Sequence, residues 1–229
     1  MRLSGEESHL RIATDYSSLA DMSTPLKNLV DLPFLINRIK LVTLSPKSCW
    51  STISGEQPDS TKLLKGMLLP LIIAGAVAQI IRLWAIGVDM GPFGRWHADL
   101  FPTLFSQLFA AIIQVALFFV SVELVQRLAQ FFSGSATRER AMSLVAHAML
   151  PSLAAGILWV VPLPGFLMLT LALILAVVGL YAFYQGVSVM TSVTEQNRLG
   201  FTASLIGITL LVGLVLNWVV GSSPRPPLS

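Results

Sequence analysis

Five stretches of the chain are close to twenty residues long and almost free of charge: roughly 66–88, 101–124, 141–161, 164–187 and 201–220. A helix needs about 20 consecutive apolar residues to cross the hydrocarbon of a bilayer. Inside hydrocarbon every backbone N–H and C=O must find a partner within the protein, which leaves helices or a closed barrel. Barrel strands alternate apolar and polar residues, and these runs do not alternate. The chain therefore reads as an all-α integral membrane bundle of five transmembrane helices. Composition agrees: 54% of the residues are hydrophobic and 12% charged, against roughly 25% charged in soluble domains. A water-soluble chain of this length cannot hide so much apolar surface.

The connections are short. Residues 89–100 (DMGPFGRWHADL) and 133–140 (SGSATRER) are polar, and Pro162-Leu163-Pro164-Gly165 predicts a tight hairpin between the third and fourth spans. Pro70 and Pro151 lie inside spans, where a proline removes a helical hydrogen bond and kinks the helix. The expected organisation is an N-terminal cytosolic tail over 1–45, an interfacial amphipathic helix over 46–54, the membrane domain over 63–221 and a short tail over 222–229. The first thirty residues lack the apolar run of a cleavable signal, so insertion is expected to be directed by the internal spans.

The segment before the first span is informative. Residues 34–44 (FLINRIKLVTL) are apolar but too short to span, with Arg38 and Lys40 inside the run. Ser45 can cap the next helix and Pro46 suits its first position. Pro46, Cys49, Trp50 and Ile53 then share one face, and Gly55 can end the helix. Two readings fit: Pro46, Trp50 and Ile53 as an anchor in the headgroup region, where indoles concentrate, or a short helix packed on the protein itself. Asp59 or Ser60 can cap the first span.

Lysine and arginine near the span ends set the orientation. Lys40, Lys47, Lys62, Lys65, Arg127, Arg138, Arg140 and Arg198 fall on one side; Arg82, Arg95 and Arg225 fall on the other. The bias predicts a cytosolic N-terminus and a C-terminus on the opposite side.

Each span carries polar residues. Gln107, Gln114 and Ser121 recur every seven residues on one face of the second span, and Gln79, His147, Gln185 and Asn217 add one group to each of the others. As bundle-interior polar residues, Gln107, Gln114, His147, Gln185 and Asn217 form either a binding site at mid-depth or interhelical hydrogen bonds worth about 0.6 kcal/mol each. Arg82 either lines a path or reaches for the interface beside Trp84. Glu123 and Arg127, four apart, read as a local ion pair. Small residues such as Ala74, Ala78, Ala154, Ala155 and Gly156 allow close helix approach.

Chemistry-bearing patterns are missing. Cys49 is the sole cysteine, so no internal disulfide forms, and HExxH, GxSxG and Walker loops do not occur. No catalytic residue, metal site or cofactor is expected, and the chain does not read as an enzyme. A net charge of +3 without basic clusters does not suit nucleic acid.

In order and spacing, these features resemble the Yip (Ypt-interacting protein) superfamily of small multi-pass membrane proteins, on its bacterial side. The resemblance rests on LSPKSCWSTI (44–53), LLKGMLLPLIIAG (63–75), AMSLVAHAMLPSLAAGILWVVPLPGFL (141–167), GLYAFYQGV (179–187) and VTEQNRLGFTASLIG (193–207). It implies a five-helix fold with a cytosolic N-terminus, here in a bacterial inner membrane. In the eukaryotic branch it implies Rab-type GTPase partners. No Asp-Leu-Tyr-Gly-Pro motif precedes the first span, and GPFG (91–94) follows it, so a Rab-type partner is not expected. The expected role is a non-enzymatic interaction, scaffold or membrane-organising protein, with membrane lipids and a protein partner or second copy as its contacts. The alternative is a small-solute or ion transporter or channel component using the polar residues of the bundle.

Overall fold

The structure, a computed structural model, describes residues 31–56, 59–89 and 91–221, without the side chains of Phe93 and of residues 216–221. The polar segment 1–30 and the tail 222–229 lie outside the described residues. Seven helices and one two-residue ladder make up the described fold. Two short helices, α1 (Leu32–Leu44) and α2 (Cys49–Ser54), precede five long ones: α3 (Ser60–Ile86), α4 (Leu100–Phe131), α5 (Arg138–Leu158), α6 (Gly165–Thr191) and α7 (Arg198–Gly221). The five long helices are each long and apolar enough to cross a membrane. At 1.5 Å per residue, α4 alone is about 48 Å long, well beyond the ~30 Å of hydrocarbon. Its ends therefore reach the headgroup regions, and the Glu123–Arg127 ion pair (2.7 Å) is exposed.

Local chemistry explains the helix starts. The Asp59 carboxylate accepts from the N–H groups of Thr61 and Lys62 and caps α3, and the Asp31 carboxylate accepts from Phe34 N–H at the start of α1. The hydroxyl of Thr137 accepts from Arg140 N–H to open α5. At Pro70 the backbone irregularity is a π turn over Leu64–Leu68, in which Leu69 N–H donates to Leu64 O. A second π turn, Ile81–Ile86, ends α3 at Gly87. Helix α5 runs through Pro151 to Leu158. The Pro162–Gly165 turn joins α5 and α6 as the sequence predicts.

Five crossings define two faces. The proximal face holds α1, α2 and the α4–α5 and α6–α7 connections. The distal face holds the Pro162–Gly165 hairpin and an antiparallel ladder, β1 (Val88–Asp89) with β2 (Arg95–Trp96), in which Val88 pairs with Trp96. Helix α5 is the central element: most of its span is buried, against less than a third of each of the other four. The buried apolar core lies mainly in the proximal half, from Met67 to Ile72 of α3, Phe118 to Ala129 of α4, Ala182 to Met190 of α6, and Phe201 and Leu205 of α7.

Residues 34–44 lie within α1, which packs on the bundle. Leu35, Arg38 and Val42 recur at i, i+3 and i+7, are buried, and lie on the side of α1 that packs on α5 and α6.

Candidate functional site

The sequence-predicted residues separate into two regions. The first is a lock at the proximal face. Of the two readings of the α2 face, the structure has packing on the protein: Trp50 is 1% exposed and Ile53 4%, while Pro46 is half-buried in the turn before α2. A buried indole needs a partner for its N–H, and Trp50 Nε1 donates to Ala182 O of α6 at 2.8 Å. A helix carbonyl has a second lone pair with which to accept. The ring stands edge-on to His147 with centroids 6.2 Å apart. Gly186 makes the space, since a Cβ there would stand 2.5 Å from the indole. Only glycine admits Trp50 to this depth.

Two further groups complete the lock. The guanidinium of Arg38 is buried and pairs with Glu56, whose carboxylate is half exposed, so the ion pair joins α1 to the end of α2. The same guanidinium lies 5.0 Å from the Phe34 ring. Cys49 is fully buried; burial pushes its thiol up to about 11, against smaller lowering by its backbone hydrogen bond and by Arg38. His147 is 2% exposed, and its Nδ1 lies 2.8 Å from Ser143 O, one turn back in α5. Elsewhere on this face Ser135 N–H donates to Thr191 O, the Phe132 and Phe201 rings meet edge-on, and Arg198 lies 4.0 Å over the Tyr184 ring.

The second region is a cavity of about 390 Å³ in the distal half, walled by α3, α4, α5 and α6. Gln79, Gln107, Gln114, Ser152 and Trp159 supply its polar groups. Gly75, Ala76, Ala110, Ala111, Ala155, Gly156, Ala172 and Ala176 supply most of the remaining wall. Each small residue leaves room a leucine would fill. Gly75 and Gly156 also bring α3 and α5 within backbone contact, as a Cβ on either would lie 3.7–3.8 Å from the other's main chain. Gln114, Ser152 and Ala176 are exposed, so the cavity opens sideways between α4 and α6. A second cavity of about 380 Å³ continues it, sharing Ser152 and Ala176, with an apolar wall from α4, α5, α6 and α7.

Gln107 and Gln114 thus meet in one site, with Gln79. His147 belongs to the proximal lock instead. Gln185 is half-buried on α6 and lines neither cavity, and the side chain of Asn217 lies outside the described residues. Sequence reasoning passed over Ser152, one residue beyond Pro151, and Arg38. The signal for Arg38 was its place between Leu35 and Val42 on one helical face. Arg82 lines neither cavity: it is 8% exposed, and its Nη2 donates to Leu163 O of the distal hairpin at 3.4 Å. Among the described residues no group of His, Cys, Asp and Glu is placed to hold a metal ion.

Five apolar spans, of which α5 is the most deeply buried, define an integral, multi-pass membrane protein. A family model, the Yip1 domain, matches residues 40–217. The chain belongs to the Yip1 family. No curated protein and no solved structure matches it.

Proposed function

We propose that the protein is a non-enzymatic interaction protein of the membrane, acting as a scaffold or organiser for a protein partner or a second copy of itself. The observation that carries this reading is the α1–α2 layer. It is fastened to the bundle by Trp50 and by the Arg38–Glu56 pair, yet its outer side displays Leu32, Phe34, Ile36 and Leu44, the last 77% exposed, beside the exposed Lys40 and Lys47. A rigid apolar surface rimmed by charge at the membrane face suits a docking partner. Crosslinking in membranes followed by purification in mild detergent is expected to recover one reproducible partner or a homo-oligomer, and Leu44→Glu to reduce its yield. A strictly monomeric chain without a partner overturns the proposal.

The lysine and arginine bias supports a cytosolic proximal face, and the resemblance to the bacterial side of the family supports a bacterial inner membrane. A reporter active only in the cytosol should then work at the N-terminus and fail at the C-terminus; the reverse result removes this orientation. A transporter or channel component is the second reading, favoured by the polar cavity around Gln107 and Gln114. Flux in proteoliposomes that Gln114→Leu abolishes would establish it over the first.

A further inference from the structure

The distal cavity and the mid-depth cavity that continues it form one cleft whose chemistry changes in order along the membrane normal. Its outer compartment, towards the distal ends of α3 and α5, carries the amides of Gln79, Gln107 and Gln114 and the hydroxyl of Ser152. Its inner compartment runs towards the bilayer centre and is walled by groups such as Val145, Leu180 and Phe183. No Lys, Arg, Asp or Glu lines either compartment. The cleft opens sideways within the spans, where exposed surface faces hydrocarbon rather than water. An amide exposed to hydrocarbon without a partner costs several kcal/mol. The occupant must therefore supply hydrogen-bonding oxygens between Gln107 and Gln114, which stand about 10 Å apart along α4, be apolar below them, and enter from the bilayer.

We infer that the cleft holds one glycerolipid of the distal leaflet, gripped by its ester region. The amide N–H groups of Gln107 and Gln114 donate to ester carbonyl oxygens, and one acyl chain lies in the inner compartment. The uncharged wall selects the neutral glycerol–ester segment over the phosphate, which remains at the mouth. This goes beyond the docking role of the proximal face and does not depend on it, since the two sites share no residue.

The test reconstitutes the full chain into nanodiscs of equal parts ester-linked and ether-linked phosphatidylcholine. Native mass spectrometry after release into mild detergent then counts retained lipid. Ether lipid has the same headgroup and chains but no carbonyls. The expected result is one retained lipid per chain, with ester favoured by about tenfold, the equivalent of 1.4 kcal/mol. The Gln107→Leu/Gln114→Leu double variant should lose that preference. Ala176→Trp, placed where the compartments meet, should lose the lipid altogether while its elution volume and helical content stay those of the native chain. Retention of neither lipid, equal retention of both, retention unchanged in the variants, or a dimer mass without lipid each overturns the inference.

Discussion

The proximal and distal halves of the bundle are built from the same five helices but packed to different ends. In the proximal half large side chains fill the space: Trp50, Phe118, Leu144 and Phe201 are all under 2% exposed. In the distal half glycine and alanine line the helices where they face one another, and the volume left over is a cleft with amide groups on its wall. Helix α5 runs through both. Its proximal residues Ala141 to Ala148 are buried on nearly every side, whereas Ser152 stands open to the cleft. The difference teaches that apolar content alone does not decide packing in a membrane. Side-chain size does, because lipid is as apolar as leucine and adds no drive to close a gap.

That contrast can be broken by substitution, and the largest effect is expected at its proximal pole. Trp50→Ala should destabilise the protein by about 3–5 kcal/mol, the range for emptying a buried aromatic site, read by thermal unfolding in mild detergent. Trp50→Phe keeps most of the volume and loses the bond to Ala182 O, which should cost about 1 kcal/mol. Equal losses in the two variants would show that the hydrogen bond rather than the packing holds α2 down.

Glu56→Gln comes next. It leaves the Arg38 guanidinium buried without its carboxylate, at an expected cost of about 1–3 kcal/mol, less than a fully enclosed pair because Glu56 is half exposed. Arg38→Met, which removes the charge and keeps the stem, should be milder than Glu56→Gln; the opposite order would mean that the ion pair is a net stabiliser.

The Cys49 thiol gives a smaller, pH-dependent effect. Its folded value of about 11 lies above the ordinary 9.0. The protonated thiol therefore favours the folded state fully below pH 9, and this contribution is lost as pH rises through about 11. Maleimide at pH 8 should leave Cys49 unmodified in the folded protein and label it after unfolding, since the thiolate is the reactive form. Rapid labelling of the folded chain would place α2 away from the bundle.

The smallest stability change is expected at the distal pole. Gln107→Leu and Gln114→Leu should each shift stability by no more than about 0.6 kcal/mol, the usual worth of a polar contact between membrane helices. A loss above 2 kcal/mol would make these glutamines structural.

Much of this was legible before the fold was known. Length and apolar content located all five spans, and Pro162–Gly165 gave the α5–α6 hairpin. Asp59 marked the start of α3 because a capping carboxylate is a local device. The heptad spacing of Gln107 and Gln114 put them on one face of α4. What that face meets depends on tertiary packing, so the partnership with Gln79 and Ser152 was not readable. Nor was the separation of His147 from the glutamines, since depth along α5 decides it. Trp50 left two readings open because an indole suits a headgroup region and a buried site equally well. Gly186, 136 positions later in the chain, decides between them, and no local pattern connects the two. Ala74, Ala78, Ala154, Ala155 and Gly156 were read as close packing. At Gly156, which meets Gly75 of α3, that is what the small residue provides, while Ala155 lines the cavity instead.

The central claim is that one half of the bundle is a structural lock and the other an open site. The most direct measurement compares Trp50→Ala with the Gln107→Leu/Gln114→Leu double variant in one preparation, recording melting temperature and retained lipid together. The account predicts a large fall in melting temperature for the first, and for the second a near-native melting temperature with loss of the preference for ester-linked lipid. A double variant that melts as early as Trp50→Ala, or that retains lipid as the native chain does, would contradict it.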